Sequence, residues 1–155
     1  MEFADLGAKL RHLRGGLRRH LGSPIDVIEL KDMKWQKDLK IQKELRKLVK
    51  ALSFDHVNSN RIHAFKTYGS KARAYARIWA FPKIFQEVLD VPPAYVIEVL
   101  SERFDKLSDD NKTKVLIHEL LHIPKNFSGS LLPHRGRGRR LDKEVDRLFR
   151  MFKEK

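Results

Sequence analysis

The sequence predicts an α+β domain: a small, mainly antiparallel sheet packed against one central helix, with flanking N- and C-terminal helices. Three observations predict it. Between residues 61 and 100, runs of alternating apolar residues are separated by turn signals, which is strand patterning. Around positions 38–52, 108–123 and 141–152, apolar residues recur every three or four positions, which is helix patterning. The middle one of these helices carries His118-Glu119-Leu120-Leu121-His122 inside a long apolar surface. Buried His and Glu need partners there.

Taken in order, residues 3–21 place Leu6, Leu10, Leu13, Leu17 and Leu21 at helical spacing among Arg11, His12, Arg14, Arg18, Arg19 and His20. That predicts a basic amphipathic segment over 1–22, weakened at Gly15-Gly16, within a single domain of 1–155. His12 and His20 are read as surface residues. Gly22-Ser23-Pro24 breaks the pattern, and 26–34 reads as a strand or an irregular connection. A helix over 38–52 turns Ile41, Leu45, Leu48, Val49 and Leu52 inward. A strand over 61–67 ends at Tyr68-Gly69-Ser70. A second strand over 72–81 has small residues on one face and Tyr75, Arg77, Trp79 and Phe81 on the other. Pro82 leads to a short helix over 83–89, and Pro92-Pro93 to an apolar strand over 94–100. His56 and His63 are read as structural.

The next helix, 108–123, starts at Ser108 as N-cap, with Asp109 and Asp110 suiting its positive end. On it His118 and His122, four apart, share a face, and Glu119 stands beside them. A chain of this composition would hold such an HExxH pattern by chance roughly 0.02 times. The pattern implies two imidazoles on Zn²⁺ and a carboxylate serving as general base toward a zinc-activated water. Pro124 ends the helix close to His122, and 124–130 is loop, with Gly129 permitting a reversal.

A catalytic zinc keeps three protein ligands and one open position. The metzincin spacing would place a third His at position 128, which is Ser128. His134 is the expected third ligand, because a His between Pro133 and Arg135 in a loop has little structural reason to be there. Glu144, on the helix over 141–152, is the gluzincin alternative. That closing helix turns Leu141, Val145, Leu148, Phe149 and Phe152 inward, and Arg135-Gly136-Arg137-Gly138-Arg139-Arg140 precedes it as a loop.

Composition bounds the rest. The 33 Lys+Arg against 20 Asp+Glu give a net charge of +13 and an isoelectric point near 10.1. Such a field suits DNA or RNA, with Arg135, Arg137, Arg139 and Arg140 as expected contacts, although dense charge without Cys is also a thermophile's habit. The absence of Cys removes disulfides, thiolate zinc sites and Cys nucleophiles, and fits a cytoplasmic location. No run is long enough for a membrane span. Nothing in the sequence fixes an oligomeric state.

The motifs Ala76-Arg77-Ile78, Pro93-Ala94-Tyr95-Val96-Ile97-Glu98-Val99, Arg103-Phe104-Asp105-Lys106-Leu107-Ser108 and His118 through Gly129 resemble the archaeal and phage metallopeptidase family. More distantly they resemble the SprT/Spartan-like zinc proteases. The resemblance covers about two thirds of the chain. It implies a minimal zincin-like domain and a zinc endopeptidase acting on protein or peptide substrates, with His118, His122 and His134 as ligands and Glu119 as base. The SprT-like part implies work on proteins bound to nucleic acid. SprT-like proteins often follow their third His with Gly, and here Arg135 follows His134. The alternative is a nucleic-acid-binding module whose zinc is structural or latent, with Glu144 or Asp142 closing the site.

Overall fold

Asp38 separates the first two described elements. Its carboxylate accepts hydrogen bonds from the N–H groups of Lys40 and Ile41 at 2.9 and 3.0 Å, the arrangement of a helix N-cap. The structure is a computed structural model that describes residues 33–133 and 138–155. Its elements run β1 (Lys34–Lys37), α1 (Leu39–Ala51), β2 (Ile62–Tyr68), β3 (Ala76–Ala80), α2 (Lys83–Leu89), β4 (Tyr95–Leu100), α3 (Ser101–Phe104), α4 (Asp109–Leu120) and α5 (Gly138–Lys153). The amphipathic helix expected over 3–21 lies outside the described residues.

The four strands form one mixed sheet in the order β1-β2-β4-β3. β1 pairs with β2 and β3 with β4 antiparallel, while β2 and β4 run parallel, so the sheet is mainly antiparallel as expected. Side chains alternate between its faces. One face gives Ile62, Ala64, Ala76, Tyr95, Ile97 and Val99 to a single apolar cluster. Leu45 and Leu48 of α1, Leu116, Ile117 and Leu120 of α4, and Val145 and Leu148 of α5 complete that cluster. Each fully buried Leu or Ile stabilises the fold by roughly 1.5–3 kcal/mol. The fold is therefore α+β, with three helices against one side of a small sheet. No helix among the described residues is long and apolar enough to cross a membrane.

Four elements differ from expectation: β1 lies at Lys34–Lys37, beyond the strand or connection expected over 26–34, α3 was not expected at all, and β3 and α5 have other bounds. β3 is shorter than the strand expected over 72–81. Its partner β4 gives way to α3 at Ser101, so pairing stops at Ala76↔Val99 and one further bond from Leu100 N–H to the Tyr75 carbonyl (2.9 Å). Residues 72–74 have no strand to pair with. α5 begins at Gly138, so Arg139 and Arg140 open a helix rather than belong to a loop. Arg is a good helix former, and docking of Val145 and Leu148 on the core lets the helix extend backward by a turn.

Candidate active site

α4 is fixed at both ends before its polar residues are placed. Ser108 Oγ accepts from Asn111 N–H at 3.3 Å, and Asp109 and Asp110 occupy the first turn. Leu116, Ile117 and Leu120, each at most 1% exposed, lock the rotation of the helix on the sheet. The helix then tightens as it stops. His122 N–H bonds to the Glu119 carbonyl at 3.2 Å and Ile123 N–H to that of Leu120 at 3.1 Å, both spans of three residues. His122 thus stands just past the C-cap Leu121, not on a regular helix that continues to 123. The two imidazoles still converge, with His118 Nε2 and His122 Nε2 3.3 Å apart.

The chain beyond Pro124 returns to orient His122. Leu132 N–H donates to the His122 carbonyl at 2.8 Å, and His122 Nδ1 lies 2.7 Å from the Leu132 carbonyl. A carbonyl only accepts, so Nδ1 carries the proton and Nε2 presents its lone pair. This is the outer partner that metal-binding histidines ordinarily have. Two nitrogens bound at 2.0–2.1 Å to a tetrahedral zinc stand about 3.4 Å apart. The observed separation of 3.3 Å and the tautomer of His122 fit that donor set.

The returning loop is held by the sheet. Gly129, at φ +82°, sits so close to its neighbours that a Cβ there would come within 2.2 Å of the Phe81 carbonyl oxygen and 2.1 Å of Gln86 Nε2. The buried Tyr95 hydroxyl accepts from Gly129 N–H at 2.9 Å and donates to the Ser130 carbonyl at 3.0 Å. Gln86 Nε2 donates to the carbonyls of Phe81 (2.7 Å) and Ser128 (3.0 Å). The expected reversal at Gly129 is therefore present. Tyr95 and Gln86, which sequence reasoning did not assign to it, hold the loop in place.

Glu119 is 8% exposed, and burial pushes its carboxyl up to about 7. With His118 it lines a cavity of about 340 Å³. Tyr75 and Ala76 at the start of the edge strand β3 form one wall, and Asp142, Val145 and Asp146 of α5 another. Lys114, which also lines the cavity, is paired with Asp146 at 2.8 Å. Of the chain's three tyrosines, Tyr75 alone lines this cavity, and the Tyr95 hydroxyl is occupied by the loop.

The remaining sequence-predicted residues divide as follows. His134, Arg135 and Arg137 lie outside the described residues. Glu144, the alternative ligand, forms a two-toothed pair with Arg147 (2.7 and 2.9 Å), which holds its carboxyl below the usual range. It borders a different hollow, with Arg140 and Arg150. The α5 carboxylates at the cavity are Asp142 and Asp146. Asp142 was expected, with Glu144, as a residue that could close the site, whereas Asp146 was not expected there, and its position next to the inward-facing Val145 is the sequence signal that could have found it. Arg139 lies in α5. Among the described residues no group of three His, Asp or Glu forms a metal site.

Against known families, the sequence model described as "Putative phage metallopeptidase" matches residues 33–153, nearly all of the described chain. No curated protein and no solved structure matches the chain.

Proposed function

This chain belongs to the phage metallopeptidase family, and from that premise we propose that it is a zinc-dependent endopeptidase acting on proteins associated with nucleic acid. The observation that carries the reading is the convergence of His118 Nε2 and His122 Nε2 beside a buried Glu119 that lines a cavity. His118, His122 and His134 would hold the metal. When bound, zinc supplies a Lewis acid that makes a water more acidic and polarises the scissile carbonyl.

The chain's own groups do the rest. Glu119 takes a proton from the attacking water, and its raised affinity for that proton suits a base working near neutral pH. It then delivers the proton to the leaving amine nitrogen. The Leu132 carbonyl holds the proton on His122 Nδ1 throughout. Tyr75, the tyrosine among the cavity's lining residues, is assigned as a donor to the oxygen that gains charge. Substrate adds as a strand along the edge strand β3, whose first residues open onto the cavity. The net charge of +13 supports a polyanion nearby.

The test is a zinc-loaded Glu119→Gln chain beside the wild type on an unstructured basic protein. Full zinc content with cleavage slowed by about 10²–10⁴-fold is expected. Retained cleavage would remove Glu119 from the mechanism, and no zinc in either chain would remove the mechanism itself. Tyr75→Phe is expected to lower kcat about 100-fold with KM little changed.

A further inference from the structure

The sheet face away from the helices carries both tryptophans of the chain, Trp35 and Trp79. They enter from opposite edges, Trp35 from β1 and Trp79 from β3, yet both indoles lean onto one carboxylate of β4. Trp35 Nε1 donates to Glu98 Oε1 at 3.2 Å, and Trp79 Nε1 donates to Oε2 at 2.6 Å. The Thr67 hydroxyl donates to Oε1 as well. Glu98 is 3% exposed, whereas the indoles are 58% and 52% exposed. The carboxylate therefore fixes the rings while leaving about half of each open to solvent. Ordering two large side chains in water costs conformational entropy that solvation alone does not return.

The register shows what surrounds them. Phe65 lies level with both Lys37 and Glu98, and Arg77 lies level with Glu98 from the other side. Lys37 and Arg77 thus share this face with the tryptophans, each two residues from one of them. The field there is positive: His63, on the same face, has its pKa lowered first by burial and then by Arg61 and Lys37. Glu98 is the single acidic strand residue on the face, and its oxygens already accept three hydrogen bonds. Flanking cations around anchored aromatic rings suit a polyanion with flat, unpaired rings of its own.

We propose that this face is a platform for single-stranded nucleic acid, with bases stacking on Trp35 and Trp79 and phosphates meeting Lys37 and Arg77. Stacking on indoles requires unpaired bases, which a duplex offers only at its ends. A cationic ligand is disfavoured by Lys37 and Arg77, and a purely apolar partner would leave both cations uncompensated. The proposal deepens the proposed function by naming the surface that meets the nucleic acid. It uses none of the hydrolytic residues.

The experiment titrates the full chain with a fluorescein-labelled thymidine oligonucleotide of about 12 bases, a length suited to such a platform. Anisotropy and intrinsic tryptophan emission are read together. Both tryptophans sit on this face, so emission reports on it alone. Quenching that follows the anisotropy curve is expected. Trp35→Ala and Trp79→Ala should each weaken binding roughly ten-fold, with Trp79→Phe recovering part of the loss. Lys37→Glu, at an exposed position of β1, should weaken binding and reduce the salt slope by about 0.7. Binding without quenching would place the nucleic acid elsewhere and overturn the proposal. So would a duplex bound as tightly as the single strand, or no binding at low salt. Since no readout involves cleavage, repeating the titration with Glu119→Gln separates failure of the platform from failure of the peptidase reading.

Discussion

Glu98 and Glu119 are two buried carboxylates on opposite sides of the same sheet, and the fold treats them in opposite ways. Glu98, at 3% exposure, accepts from two indoles and a hydroxyl. Glu119, at 8% exposure, accepts no side-chain hydrogen bond among the described residues and holds its proton up to about pH 7. Burial is nearly the same in the two places, so burial alone does not make a carboxylate reactive. The supply of donors does: three fixed donors turn Glu98 into a strut, and their absence leaves Glu119 able to exchange a proton with whatever enters the cavity.

The comparison is broken most severely at Glu119. Replacing it with Gln should lower kcat by about 10²–10⁴-fold while zinc, measured by mass spectrometry, stays at one per chain. A smaller loss would mean that another group handles the proton. The same carboxyl makes a stability prediction for the zinc-free chain. Its folded pKa of about 7 lies above the ordinary 4.5, so between those values the folded chain binds the proton more tightly than the unfolded chain. The contribution of this carboxyl is then full below pH 4.5 and is lost as pH rises through 7, roughly 3 kcal/mol in all. Urea unfolding of the zinc-free protein at pH 4.5, 6 and 8 measures it. Glu119→Gln should flatten this part of the profile, and an unchanged slope would assign the dependence to other groups.

At Glu98 the same substitution acts on packing. In Glu98→Gln the new amide can serve one indole with its oxygen but turns an NH₂ group toward the other donor, leaving one buried polar contact unsatisfied. A loss of about 1–3 kcal/mol in urea unfolding is expected, with a shift in tryptophan emission as a ring loosens. Zinc content should not change. A Glu98→Gln chain that failed to hold zinc would show that the two faces are coupled.

Much of this was readable in the sequence, for identifiable reasons. The elements α1, β2, α2, β4 and α4 follow from apolar spacing and from local start and stop signals such as Ser108 and Pro124. The pairing of His118 with His122 follows from their spacing, even though a tightened turn rather than a regular helix carries the second. What was not readable depends on contacts between distant segments. The length of β3 is set by where β4 ends, and the Glu98 clamp joins residues 19 and 63 positions away in the chain. The choice of Asp142 over Glu144 at the cavity depends on how α5 is rotated against α4, although Arg147 three residues after Glu144 marked it as a surface pair.

The mildest prediction concerns β4, which serves both faces: Glu98 points to one and Tyr95 to the other. The Tyr95 hydroxyl joins the loop at Gly129 and Ser130, and the same loop carries the Leu132 carbonyl that keeps the proton on His122 Nδ1. Tyr95→Phe preserves the ring and its edge-on contact with Phe127 but removes both hydrogen bonds. A stability loss of about 1 kcal/mol is expected from the bonds alone. If the loop also positions His122, zinc affinity in a chelator competition should fall by about 10-fold, the low end for an outer partner of a ligand. The two readouts separate the roles. A loss of stability at unchanged zinc affinity would mean that Leu132 is held by its own bond to the His122 carbonyl, and that β4 braces the loop without tuning the metal site.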